Sequence, residues 1–400
     1  MQAERIRELV AVHRDGLLGD TIPFWMAHTI DRDCGGFLNY LDRDGTVLCT
    51  DKPVWVLGRF AWLMAMLYNN VDRRQEWLDT ARHGIEFIER HCFDTDGRMF
   101  YEVTRDGRPL RKRRYLFTEV FGILALSEYA LASQDQVRLD KAKDLFQLLC
   151  RYHSNPGLLP PKVYPQTRQA KSHAMPMVLL CTAQQMRKTG EDPFYDVLID
   201  RSMREVFDDF MDYDRKAVLE TAGVGGERLD GPEGRCVNPG HAIETAWFVM
   251  EEYRRRNDPE LLEKACLILD WSLDLGWDRE YGGILYFVDV EGKPPDQYEH
   301  DLKLWWAHNE ALYACLLAHH LTGEARYEQW YERLHDYAYS HFPDDECGEW
   351  FKYLHRDGTL SSTVKGNRWA GPYHLPRMQY NCWKLLEEME AAGRQGDGAR

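Results

Sequence analysis

GGFLNYLDRDGTVL, at residues 35–48, decides the fold, because the chain repeats it as DGRMFYEVTRDGRPL at 96–110, YGGILYFVDVEGKPP at 281–295 and CGEWFKYLHRDGTLS at 347–361. Each copy is a glycine, an alternating aromatic and aliphatic run, and then an Asp-Gly or Glu-Gly pair. That pattern reads as a β-hairpin whose turn glycine takes a positive φ. Two weaker copies, NPGLLPPKVYP at 155–165 and DRKAVLETAGVGGERLDG at 214–231, fill the gap. Marked at Gly36, Gly97, Gly157, Val218, Gly283 and Gly348, the period is 60 to 65 residues, and six units account for nearly the whole chain.

Two helical patterns separate successive hairpins. The segment after each hairpin, such as VWVLGRFAWLMAMLYNN at 54–70 or LWWAHNEALYACLLAHHL at 304–321, is apolar on every side and predicts a buried helix. The segment before each hairpin, such as RQEWLDTARHGIEFIERHC at 74–92, alternates charged and apolar faces and predicts a surface helix. Six such pairs predict an all-α fold, an (α/α)6 barrel with short β-hairpins in the loops on the active-site face. One domain is expected over residues 1–392. The closing GRQGDGAR at 393–400 has the composition of a disordered tail.

Composition narrows the function. The 400 residues carry a formal net charge of −15, the wrong sign for a protein whose main partner is nucleic acid or an anionic membrane. No stretch of about 18 apolar residues and no signal-like N-terminus is present, so a cytoplasmic location is expected. The ten cysteines show no paired spacing, which argues for scattered thiols rather than a disulfide framework or zinc ribbon. Thirteen Trp, 21 Tyr and 16 Phe are a heavy aromatic load, suited to core packing or to sugar rings.

If the hairpins lead into the inner helices, all six inner N-termini open on one side of the ring, and polar residues in their first turns face the mouth. These are Arg59, Glu119, His241 with Glu244, Trp306 with His308 and Glu310, and His374 with Arg377. His241 and Glu244 are spaced i,i+3, so the carboxylate can hold the imidazole in one tautomer. The alternative is a helix-start histidine beside an unrelated surface glutamate. Arg59, in VWVLGRFAW, is expected either to bridge Glu119 or Glu310 or to face a ligand oxygen. Trp306 and Trp369 serve as core filling or as platforms for a sugar ring. His308, Glu119 and Arg377 are further substrate-binding candidates. No metal is expected, since an HxxE pair without further ligands is a weak site. The run RKRR at 111–114 reads as a solvated loop or an anion-binding patch, and His319 with His320 as surface residues.

VWVLGR around Arg59, NPGHAIETAWF around His241, KLWWAHNEAL around Glu310 and KGNRWAGPYHLPR around His374 together resemble the N-acylglucosamine 2-epimerase family, also known through its renin-binding protein members. The resemblance covers essentially the whole chain. It implies an (α/α)6 barrel that interconverts a sugar and its C2 epimer, N-acetylglucosamine and N-acetylmannosamine foremost, with His241 and His374 as the acid/base pair. Inverting C2 through an enolate requires a proton removed on one face and another returned on the opposite face. Arg59 would then face the enediolate oxygen. Glu244 would tune His241, and Glu310 would bind a hydroxyl or assist ring opening. No metal or nicotinamide is required.

The resemblance also implies a homodimer and, for some members, activation by ATP; PGLLPPKVYPQTRQ at 156–169 departs from the Gly-Arg-Pro-rich loop of those members. Relatives acting on cellobiose typically carry a histidine in the third inner helix, where this sequence has MPMVLL at 175–180, which favours an N-acylhexosamine monosaccharide. Mannose, glucose or cellobiose epimerisation, aldose-ketose isomerisation, glycoside hydrolysis on the same barrel, and a protein-binding module are the competing readings.

Overall fold

A computed structural model describes residues 1–164 and 166–398, with side chains through residue 393. The inner helices are α3 (Val54–Asn70), α5 (Phe117–Ser133), α7 (Ala174–Arg187), α9 (Pro239–Arg256), α11 (Trp305–Thr322) and α13 (His374–Gly398). Against their outer sides pack α4 (Gln75–His91), α6 (Gln136–Ser154), α8 (Pro193–Glu205), α10 (Pro259–Gly276) and α12 (Ala325–His341). The sixth outer position, against α13, is taken by the first helix of the chain, α1 (Ala3–Asp15), which runs on into α2 (Ile22–His28). This is an (α/α)6 barrel. Residues 399 and 400 lie outside the described residues, as do the side chains beyond 393, so the tail expected at 393–400 falls almost wholly outside them; the α13 backbone runs to Gly398.

The sequence patterns account for which helix lies inside. In α11 every residue from Trp305 to Ala318 is buried, as a helix apolar on all sides demands. In α12 burial is confined to Tyr327, Tyr331, Leu334, His335, Tyr337 and Ala338, one stripe facing inward. The buried residues of both layers form a nearly continuous core. No described helix is long and apolar enough to cross a membrane. All ten cysteines are free thiols.

Three of the four strong repeats form hairpins as expected. Tyr40–Leu41 pairs with Val47–Cys49, Glu102–Val103 with Pro109–Arg111, and Tyr353–Leu354 with Leu360–Ser362. The other copies differ. Val288–Asp289 pairs across units with Cys236–Val237, and Ala217–Val218 pairs with Met211–Asp212. Among the described residues, the copy at 155–165 forms no hairpin and holds a 3-10 turn at Pro156–Leu158, since its prolines remove the donors that a ladder requires.

Three units share an ionic clasp that the sequence did not announce. Asp31 binds Lys52 at 2.9 Å and Arg105 of the following hairpin at 2.8 Å. Asp278 binds Lys303 at 2.9 Å and Arg356 at 2.8 Å. Asp344 binds Lys365 at 2.8 Å and Arg43 at 2.7 Å. The third clasp joins the sixth unit to the first and closes the ring. Each lysine also donates to a glycine carbonyl, of Gly35, Gly282 or Gly348, held at φ of 74 to 85°, a conformation only glycine adopts readily. Buried ammonium groups would be costly alone; here each has an anionic partner and a carbonyl acceptor.

Candidate active site

Asn238, Pro239 and Gly240 set the start of α9. The Asn238 side chain accepts from the His241 amide at 3.1 Å, a standard N-cap, and proline suits the first helical position. Gly240 has to be glycine because a Cβ there would lie 2.5 Å from the Trp306 ring. This close approach sets the His241 imidazole 5.3 Å from Trp306, centroid to centroid. His374, the first residue of α13, lies 5.5 Å from the same indole. The two histidines expected to act together thus flank one Trp side chain, itself buried.

Each imidazole is held through Nδ1 by a carboxylate. For His374 the partner is Glu310, at 2.7 Å. For His241 it is Glu220, at 3.1 and 3.2 Å to its two oxygens. A carboxylate only accepts, so each Nδ1 carries the proton and each Nε2 is left for chemistry. The two carboxylates are differently engaged. Glu310 also accepts from Trp247 Nε1 at 2.8 Å and from Arg377 at 2.7 Å, and Arg377 binds Glu244 and the Tyr373 hydroxyl as well.

The electrostatic consequences are opposite. Burial disfavours the charged form of both imidazoles. At His241 the Glu220 carboxylate outweighs burial and holds the imidazole above its ordinary value. At His374 burial, reinforced by the Arg59 charge, pushes the imidazole well below it. His241 is therefore the readily protonated member of the pair and His374 the neutral one.

Several expectations are corrected here. Glu244 makes no hydrogen bond to His241, since Arg377 claims it, but its charge still adds to that of Glu220 in raising the imidazole. Arg59 bridges neither Glu119 nor Glu310. Its guanidinium lies 4.7 Å over Trp55, 4.1 Å over Phe121 and 4.7 Å over Tyr373, with Nε buried and without a hydrogen-bond partner. Burial pushes it down to about 10. Glu119 lies away from the histidines, receiving Arg98 at 2.9 Å and the Met99 amide at 3.0 Å. His308 is spent on structure: Nδ1 donates to the Leu304 carbonyl at 2.7 Å and Nε2 accepts the Ile284 amide at 2.9 Å. Trp369 stands on the rim, 49% exposed, 5.5 Å from Trp55.

Sequence reasoning missed Glu220, Trp247, Tyr373 and His173. His173 immediately precedes α7, is buried, and meets the Thr245 hydroxyl at 3.1 Å, so the apolar run MPMVLL does not leave this side of the barrel without a histidine. Burial pushes it down to about 4. A charged residue inside an otherwise apolar hairpin copy, AVLETAG, was the available signal for Glu220. Glu244, Glu310 and His374 place ligand-type atoms within 4.8 Å of one another, but Arg377 bonds both carboxylates and supplies the cation there, which disfavours a metal.

Comparison with known proteins agrees with this architecture. The profile of the family described as N-acylglucosamine 2-epimerase (GlcNAc 2-epimerase) matches residues 35–376. The N-acylglucosamine 2-epimerase of Bos taurus is 33% identical over 387 residues, covering 93% of this chain and 90% of its own; that of Homo sapiens is 33% identical, covering 94% and 88%. The cellobiose 2-epimerase of Spirochaeta thermophila superposes with a TM-score of 0.83 at 20% identity, over 96% of this chain and 98% of its own, which shows the shared fold. On the length and identity of these matches, the chain belongs to the N-acylglucosamine 2-epimerase family of sugar isomerases.

Proposed function

We propose that the protein interconverts N-acetylglucosamine and N-acetylmannosamine through deprotonation and reprotonation at C2 of the open-chain sugar. The observation that carries this reading is the pair of imidazoles, each oriented through Nδ1 by a carboxylate, on either side of Trp306. In the aldehyde form the C1 carbonyl acidifies C2. His374, neutral, takes the C2 proton from one face; the electron pair moves into an enediolate. His241, protonated, then gives a proton to C2 on the other face, and the inverted aldehyde re-forms.

Arg59 is suited to the enediolate oxygen, since it brings a buried guanidinium without a carboxylate of its own. Glu220 and Glu310 position the histidines, and Arg377 balances Glu310 and Glu244. Trp306 and Trp369 offer faces to the sugar. The reaction so written calls for no metal or nicotinamide. A hydrolase would need a free carboxylic acid opposite a carboxylate, whereas Glu244 and Glu310 are both bound to Arg377.

Incubation with N-acetylglucosamine in deuterated water tests the reading. Deuterium should appear at C2 of both epimers. Product formed without label would overturn the enediolate route, and turnover of mannose or cellobiose in preference to the N-acetyl sugar would overturn the substrate.

A further inference from the structure

The run RKRR takes no part in the site described above, yet its second arginine, Arg113, stands beside it. Arg111 binds Glu102 at 2.9 Å, a carboxylate that Arg368 also reaches at 3.3 Å and to which the Tyr40 hydroxyl donates. Lys112 bridges Asp94 at 2.6 Å and Asp96 at 2.7 Å. Arg113 pairs with no carboxylate among the described residues, and its Nε is buried without a hydrogen-bond partner. Its guanidinium lies 4.6 Å over the Tyr101 ring, 5.6 Å over Tyr115 and 5.9 Å over the half-exposed Trp369. Cation–π attraction offsets part of the desolvation but satisfies none of the N–H donors.

These rings continue inward. Trp369 packs against Trp55, and Trp55 carries the Arg59 guanidinium that lies over Tyr373, the residue before His374. One aromatic wall therefore bears two guanidiniums without carboxylate partners among the described residues, Arg59 beside the histidines and Arg113 at the rim. The single charge of Glu102 is set against Arg111 and Arg368 together, so the rim here is locally positive in a chain whose net charge is −15.

We propose that Arg113 forms a rim subsite for an anionic substituent, a phosphate or carboxylate, carried by the sugar on the side away from C1 and C2. This rests on the reading that C2 reacts between His241 and His374. A sugar so placed, with its apolar face along Trp55 and Trp369, directs its distal substituent toward the rim, where the planar fork of Arg113 matches an oxyanion in two-point geometry.

Calorimetric titration of the full-length protein at low salt with N-acetylglucosamine, its 6-phosphate and inorganic phosphate tests the proposal, with C2 deuterium exchange of the neutral sugar as a separate readout. The 6-phosphate should bind about ten-fold or more tightly than the neutral sugar, as a charge-assisted pair provides. Arg113→Gln should abolish that advantage, Arg113→Lys should restore part of it, and both should keep neutral-sugar exchange within about two-fold. Thermal melts identify a variant that fails to fold, in which case the lysine variant decides. Equal affinity of the two sugars, an advantage that survives Arg113→Gln, or inorganic phosphate binding without discrimination between the sugars would each overturn the subsite. Loss of C2 exchange with every sugar would instead overturn the epimerase reading, and the titrations would still decide the anion site.

Discussion

The surroundings of His241 and His374 differ in how many charges share the orienting carboxylate. Glu220 serves His241 alone among the side chains bonded to it, and the imidazole is held above its ordinary pKa. Glu310 is shared among His374, Arg377 and Trp247, and burial, with the Arg59 charge, takes His374 below its ordinary value. The same side-chain pair, carboxylate and imidazole, thus holds its proton more readily on one side of Trp306 and less readily on the other. The difference lies in burial and in the cations around His374, Arg59 of α3 and Arg377 of its own helix, not in the dyads themselves.

Removing either member should abolish the comparison outright. His241→Ala and His374→Ala are each expected to lower the C2 exchange rate by more than about two orders of magnitude, the contribution of a positioned acid or base. Near-normal exchange in either variant would remove that residue from the chemistry.

Changing only the orienting groups should separate the two sides. With His374 neutral and His241 protonated as the working form, activity falls in acid as His374 is protonated and falls in alkali as His241 loses its proton. Glu220→Gln removes the charge that raises His241, so the alkaline limb should move to lower pH, with kcat down about ten-fold at neutral pH. Glu310→Gln should leave the alkaline limb in place and cost about ten- to a hundred-fold in kcat, by loosening His374 and leaving Arg377 less balanced. A pH–rate profile of both variants checks the pair; the same limb moving in both would contradict the division of labour.

The smallest expected effect lies in the scaffold of the His374 side. Asp344, bound by Lys365 and Arg43, ties down the segment that leads to His374. Those cations hold its carboxyl below the usual range against the opposing effect of burial. A depressed folded-state carboxylate stabilises above the unfolded value, so this contribution should be present at neutral pH and lost as pH falls below about 4. Asp344→Asn should cost about 1 to 3 kcal/mol in urea unfolding at pH 7 and flatten the acid dependence, with exchange activity changed only a few-fold.

Much of this was legible in the sequence because helical phase is local. The 60- to 65-residue period predicted six units, and the apolar segments identified the inner helices, so His241, His374, Arg59 and Glu310 could be assigned to one end of the ring. Partners supplied from elsewhere were not legible. The i,i+3 spacing predicts Glu244 for His241, but Arg377 comes from another helix and outcompetes it. Glu220 sits in one of the two weaker hairpin copies, between two short strands. The arginines of the RDG turns, Arg43, Arg105 and Arg356, repeat visibly, yet each binds an aspartate of the preceding unit, a relation that only ring geometry defines.

The pairing of α1 with α13 has a consequence for biosynthesis. The outer position of the sixth pair belongs to α1, and its partner, α13, comes after the five other inner helices in chain order. During translation the early units have neighbours to pack on, while α1 waits with an apolar stripe of Ile6 and Leu9 uncovered until α13 emerges. His374 and Arg377 arrive with that final helix, so closure of the ring and completion of the histidine pair are one event. A nascent or C-terminally truncated chain would hold His241 and Glu220 but have no second histidine to work with.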